Sequence, residues 1–180
     1  MNPLDLVKLT RLMEITRGRS DIVVGLIDGP VATDHPGFAG QTIRELTGKM
    51  GGSCSQAGSA ACMHGTFVAG ILCAKRDSPA PAICPSCTLL VRSIFAETGA
   101  NNKQMPSATP NELGAAIIEC INAGARLINM SVALALPTSA SESKLEEALS
   151  HAAKRGVIVV AAAGNQGTVG SSAITRHPWV

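Results

Sequence analysis

Tyrosine is absent from this chain, and aromatics altogether amount to 2% of it, three Phe and one Trp. With so few large rings the core must be built from Ala, Val, Ile and Leu, and it must be tight, with helices lying close against a sheet. Charge is scarce as well. Charged residues make up 16%, and 15 basic against 13 acidic side chains leave a net charge of +2. That balance gives no footprint for nucleic acid or an anionic membrane surface. Hydrophobic residues reach 46% and the mean hydropathy is +0.23, yet no apolar run approaches the ~18 residues of a membrane span. The same composition excludes intrinsic disorder. A secretory signal is lacking too: Asp5, Lys8, Arg11 and Glu14 interrupt the N-terminal stretch, so a cytoplasmic protein is expected. No Gly-x-Gly-x-x-Gly follows a strand, which removes a nucleotide-binding loop, and there is no internal repeat. The 180 residues suit a single domain spanning 1–180, large enough to hide about 70% of its unfolded surface.

What is present is a regular alternation. The runs Ile22–Ile27, Thr88–Val91, Leu127–Met130 and Val157–Ala161 are short, β-branched and apolar on both faces, as in strands buried on both sides. Between them lie helical patterns. Thr109-Pro110-Asn111-Glu112 reads as an N-cap with Pro at the first position and Glu at the third, followed by an inward face of Leu113, Ala116, Ile117, Cys120 and Ile121 up to Gly124. Ser143 and Glu146 read as a second capping box, followed by Leu145, Ala148, Leu149 and Ala152, with a stop at Gly156. Leu4, Val7, Leu12 and Ile15 predict a further helix that Gly18 ends. Strand–helix–strand alternation with fully apolar strands predicts an α/β fold, a doubly wound parallel sheet with helices on both faces. Residues 29–63 and 75–87, rich in Gly, Pro, Ser and Cys, read as long loops, which in a compact domain are usually functional or disordered.

In parallel sheets, ligands bind beyond the carboxyl ends of the strands. Three features fall there. Asp28-Gly29 ends the first strand, where a carboxylate after an apolar run needs a partner; the same dipeptide also fits an ordinary turn. His64 opens a helix of small apolar residues, His64-Gly65-Thr66-Phe67-Val68-Ala69-Gly70. An imidazole there can serve as a base if a carboxylate fixes its tautomer, or be a core histidine satisfied by a carbonyl. Asn165 lies beyond the fourth strand in Ala163-Gly164-Asn165, suited to aiming an amide into a cleft or to a left-handed turn.

In this order and topology, the Asp28, His64 and Asn165 segments resemble the Asp, His and oxyanion-Asn segments of subtilisin-like serine proteases (peptidase S8 type). Asn129-Met130-Ser131 resembles the family strand that lines the S1 pocket. Asp28-Gly29-Pro30-Val31, Ile94-Phe95 and Asn122-Ala123-Gly124-Ala125 are similar to the proteases that mature cyanobactin-like peptides, of the PatA/PatG kind. The resemblance implies that Asp28 orients His64, that His64 is general base and then general acid, and that Asn165 donates to the oxyanion. It also implies a peptide or precursor-peptide substrate, met by Ser131, Val132, Ala133 and Gly164, and no cofactor. Calcium is frequent in the family, but no carboxylate cluster stands out for it.

Departures from the family pattern carry their own expectations. The Gly-Thr-Ser segment that bears the nucleophile is missing, and Ser131, Ser171 and Ser172 lack its context. The domain is therefore expected to be incomplete at its C-terminus, with the serine supplied elsewhere, including by a separate chain. A non-catalytic peptide-binding pseudoprotease is the alternative. Phe67 stands where the family usually has a second His, and Val132-Ala133-Leu134 replaces a common Gly-Gly, which narrows the pocket. Of six cysteines, two local disulfides are expected, Cys54–Cys62 and Cys84–Cys87. Reduced thiols and a structural zinc site are the alternatives. Cys73 and Cys120 read as small core residues.

Overall fold

The structure, a computed structural model, describes residues 3–46, 54–56, 58–78, 80–97, 108–132, 142–163 and 172–180. Two short N-terminal helices, α1 (Pro3–Leu6) and α2 (Leu9–Ile15), precede strand β1 (Val23–Asp28). A 3-10 turn (Pro36–Phe38), strand β2 (Ile43–Glu45), helix α3 (Ala60–Cys73) and strand β3 (Thr88–Ser93) follow. Helix α4 (Pro110–Asn122), strand β4 (Leu127–Met130), helix α5 (Ser143–Arg155), strand β5 (Ile158–Ala161) and helix α6 (Ala173–Arg176) complete the described elements.

The strands form one parallel sheet in the order β2-β3-β1-β4-β5. The connection leaving β1 runs past the place of β3 to the edge strand β2, whereas those leaving β2, β3 and β4 all run the other way. The β2–α3–β3 crossover therefore advances in the same direction as β3–α4–β4 and β4–α5–β5 but lies on the opposite face, so its hand is opposite to theirs and to one of them the right-handed preference does not apply. Helices α4 and α5 bury Leu113, Ile117, Ile121, Leu145 and Leu149 with the strand residues Ile27, Leu90, Ile128, Met130 and Val159. On the other face, Ala69 and Cys73 of α3 meet Val24, Leu26, Leu89 and Val91. The reversal at β1 makes its carboxyl end the switch point where such sheets open a crevice.

The second face is only partly covered among the described residues. Leu127, Asn129, Ile158 and Val160 alternate with the residues under α4 and α5 and lie in register with Val24 and Leu26, so they share the side of α3. Ile158 and Val160 stay 53% and 47% exposed. On α3, Met63, Phe67 and Ile71 form an exposed apolar stripe at i, i+4 and i+8. Uniformly apolar strands predicted burial on both faces; β5 shows it on one.

Three local expectations are corrected. The N-terminal helix breaks at Lys8, which adopts a left-handed conformation with φ 58°. The break misaligns the predicted face, leaving Leu12 and Ile15 exposed while Met13 turns inward. Ser143 is the first residue of α5 and does not cap it. The cap position falls to Glu142, which offers no side-chain cap bond, because its carboxylate accepts from the Ala173 N–H and from Arg176 instead. Strand β2 lies within a segment read as loop; its sequence Ile-Arg-Glu carries little apolar pattern. The Thr109–Glu112 capping box forms as expected.

Candidate active site

Asp28 is the last residue of β1, with β3 and β4 hydrogen-bonded on either side, and its side chain is fully buried. His64 sits one turn into α3. Its Nδ1 lies 2.7 Å from Asp28 Oδ1. The contact exists because α3 runs unusually close to the loop after β1, and two glycines permit it. A Cβ on Gly29 would stand 2.1 Å from the Ala61 carbonyl oxygen, and one on Gly65 would stand 2.5 Å from that of Gly29. The N–H of Ala32 also donates to Thr66 Oγ1 at 2.9 Å, tying the same loop to the helix. The His64 side chain keeps 52% exposure, so with Nδ1 turned inward, Nε2 is the nitrogen open to a ligand. An imidazole held this way is fit to move protons at Nε2.

The Asp28 carboxyl carries opposing influences. Burial pushes its pKa above the ordinary carboxylate range, against the hydrogen bond with His64, the N–H of Gly29 and the hydroxyl of Ser131, which pull it down. The Gly29 N–H donates to Oδ1 at 2.6 Å. Oδ2 is buried without a hydrogen-bond partner among the described residues. A carboxylate in this state destabilises the fold when ionised. Sites that place function before stability carry such groups.

The approach to α3 is fastened at several points. Cys54 and Cys62 form a disulfide, joining the preceding loop to the first helical turn two residues before His64. Ser59 caps the helix, its hydroxyl accepting from the Cys62 N–H at 3.2 Å. Glu97, beyond β3, accepts from the Ser55 N–H and hydroxyl at 2.9 and 2.5 Å, the Gln56 N–H at 2.9 Å and the Ser59 hydroxyl at 3.2 Å. Partial burial would raise its pKa, but these hydrogen bonds outweigh that and hold it below the usual value. Sequence reasoning missed Glu97, since its partners lie 38 to 42 residues away and no local pattern links them. Cys54, Cys62 and Glu97 bring their donor atoms within 4.8 Å of one another. Those sulfurs are bonded together and the carboxylate oxygens are already engaged, so the zinc alternative finds no free donor set there.

Ser131 follows β4 half-buried beside Asp28, its Oγ accepting from Asn129 Nδ2 at 2.9 Å, and Val132 is buried. Ala133, Gly164 and Asn165 lie outside the described residues. The expected Cys84–Cys87 bridge is corrected: both thiols are free. The Cys84 Sγ donates to the Leu72 carbonyl at 3.2 Å, while Cys87 Sγ is lodged where a Cβ on Gly18 would meet it at 2.5 Å. Burial and the neighbouring Cys87 push the Cys84 thiol up to about 12, leaving little thiolate to react. Cys73 and Cys120 are buried free thiols, both pushed up to about 12 chiefly by burial.

The sequence profile of the subtilase family (Peptidase_S8) matches residues 19–177. A thermophilic serine proteinase of Bacillus sp. (strain AK1) is 29% identical over 169 residues, covering 86% of this chain and 36% of that protein. Among solved structures, a mutant of the protease domain of PatA superposes with a TM-score of 0.74 at 31% identity, covering 84% of this chain and 52% of that one. The prenylagaramide maturation protease PagA gives a TM-score of 0.73 at 31% identity, covering 88% and 51%. The chain thus spans about half the length of these structures and about a third of the thermophilic proteinase.

Proposed function

Since the chain belongs to the subtilase family of proteases, we propose that it forms the Asp–His part of a serine endopeptidase site that cleaves a peptide or precursor peptide. The observation that carries this reading is the 2.7 Å contact between His64 Nδ1 and the buried Asp28 carboxylate, at the switch point of a doubly wound sheet. In this reading Asp28 accepts the Nδ1–H, fixes the tautomer and stabilises the imidazolium. His64 Nε2 takes the proton of the nucleophilic serine and returns it to the leaving amine. Asn165 donates to the oxyanion, and Ser131, Val132, Ala133 and Gly164 meet the substrate. The reading calls for no cofactor: the acyl group passes from the leaving amine to the serine and then to water, while His64 moves the protons. The maturation proteases PatA and PagA at 31% identity support a precursor peptide as the substrate class.

The serine in this proposal is not one of this chain's. It comes from polypeptide that covers the outward side of β5, where Ile158 and Val160 stay about half exposed among the described residues and offer an apolar bed. The polypeptide is either continuous with this chain or a separate one. The place of action in this reading is the cytoplasm, and a count of free thiols in the protein taken from cells tests it, since a Cys54–Cys62 bridge is of the kind reducing compartments disfavour.

Reading the coding frame past Val180, with an intact mass of the source protein, tests the assignment. A downstream Gly-Thr-Ser segment is expected; its absence from every associated polypeptide favours the pseudoprotease alternative. In the completed enzyme, Asn165→Ala should lower kcat by about 10²–10³ with little change in KM. An unchanged kcat removes Asn165 from the site.

A further inference from the structure

Helices α4 and α6 carry capping boxes within their own first turns, from Thr109 with Glu112 and from Ser172 with Thr175. Helix α3 does not. Its third position is Cys62, which the disulfide occupies, so the local carboxylate of a capping box is displaced by a sulfur. The carboxylate comes instead from Glu97. The Ser59 hydroxyl donates to Glu97 and accepts from the Cys62 N–H, and the Ser59 carbonyl accepts from the Met63 N–H. One relay therefore leads from Glu97 through Ser59 to the turn that ends at His64. A negative group near a helix N-terminus is favourable in its own right.

We infer that Glu97 is a positioning residue for His64, acting in parallel with the Cys54–Cys62 bridge. The inference rests on the reading of Asp28 and His64 as a protease pair. Both devices hold Cys54, Ser55 and Gln56 against the helix start at Ser59. Glu97 does so by accepting from Ser55, Gln56 and Ser59, and the bridge does so covalently through Cys62. Each is sufficient to keep the first turn of α3 seated on Gly29, so each hides the loss of the other. The Asp28–His64 contact is predicted to fail only when both are gone. A purely structural role for Glu97 predicts instead that the contact weakens in proportion to overall stability, whichever device is removed.

The test is the low-field proton NMR signal of a His64 Nδ1–H bonded to Asp28, recorded on this chain well below its melting temperature. Four proteins are compared: wild type, Glu97→Ala, Cys54→Ser and the double variant. The signal is expected to persist in both single variants and to vanish in the double one. Amide exchange at Ser55 and Gln56 should be at least about tenfold faster in Glu97→Ala, the factor that a hydrogen bond to a charged group supplies. Glu97→Gln, which keeps one acceptor oxygen, should fall between. Should the double variant fail to fold, Ser59→Ala with Cys54→Ser cuts the relay at the hydroxyl and is read in the same way. A signal that survives in the double variant, or vanishes with Cys54→Ser alone, overturns the positioning role while leaving the protease reading intact. A wild type with no low-field signal overturns the pair itself, and this inference with it.

Discussion

The two faces of the sheet are built to different standards. Under α4 and α5 the fit is complete: Leu113, Ile117, Leu145 and Leu149 are almost wholly shielded, and so are Ile128 and Met130 beneath them. On the opposite face, among the described residues, helix α3 with Val31 and Phe38 covers β1 and β3, and the outward residues of β5 remain about half exposed. The closed face stabilises the domain. The other face carries Asp28 and His64, a fully buried carboxyl group and an apolar stripe without a cover among the described residues. The proposed chemistry lies on the side that the described residues cover less, where Asp28 is buried and Ile158 and Val160 stay about half exposed.

The sharpest way to break that contrast is at the seam where α3 meets β1. Gly29→Ala forces a Cβ to within 2.1 Å of the Ala61 carbonyl, and no side-chain rotation relieves a clash with backbone. Its cost should exceed about 4 kcal/mol, the range reserved for such named defects, as read by denaturant unfolding. On the closed face, Leu149→Ala should cost about 2–5 kcal/mol through a cavity beneath α5, checked by the same unfolding curve.

Asp28→Asn should act with the opposite sign. It keeps Oδ1 as an acceptor for His64 and removes a buried charge that burial penalises. A gain of about 1 kcal/mol would raise the melting temperature by roughly 2–4 °C in a chain of this size. The sign follows from linkage. A carboxyl with a raised native pKa favours folding when protonated, and that advantage is lost as pH rises through the native pKa. The gap between Asp28→Asn and wild type should therefore close as the pH is lowered and open as it rises, in melts recorded across the acid range. The smallest effect belongs to the bare surface. Val160→Thr and Phe67→Ser should change the stability of this chain by about 0.5 kcal/mol or less. A large loss from either would show that these residues already have a cover.

Asp28 and His64 were legible in the sequence because the segments that hold them are local: a strand end with Gly29 and a helix with Gly65. The sheet and the main helices were legible for the same reason, through periodicity and the Thr109 cap. What escaped depends on distant partners. Glu97 looks like any loop glutamate until the fold brings Ser55, Gln56 and Ser59 to it. The half-exposed side of β5 among the described residues escaped because Ile158 and Val160 are as apolar as Val159, and composition cannot say which neighbours are present. The Cys84–Cys87 spacing suits a bridge, yet the carbonyl of Leu72 claims one thiol and Gly18 makes room for the other.

The most direct measurement of the central claim is labelling by a fluorophosphonate probe, applied to this chain alone and to the same chain joined by the polypeptide proposed to supply the serine. The account predicts no label on these 180 residues alone, because it takes the serine that His64 would activate from other polypeptide. It predicts label on the completed protein that His64→Ala abolishes, since the proton must pass through Nε2. Label on the isolated chain, or label on the completed protein that survives His64→Ala, would contradict it.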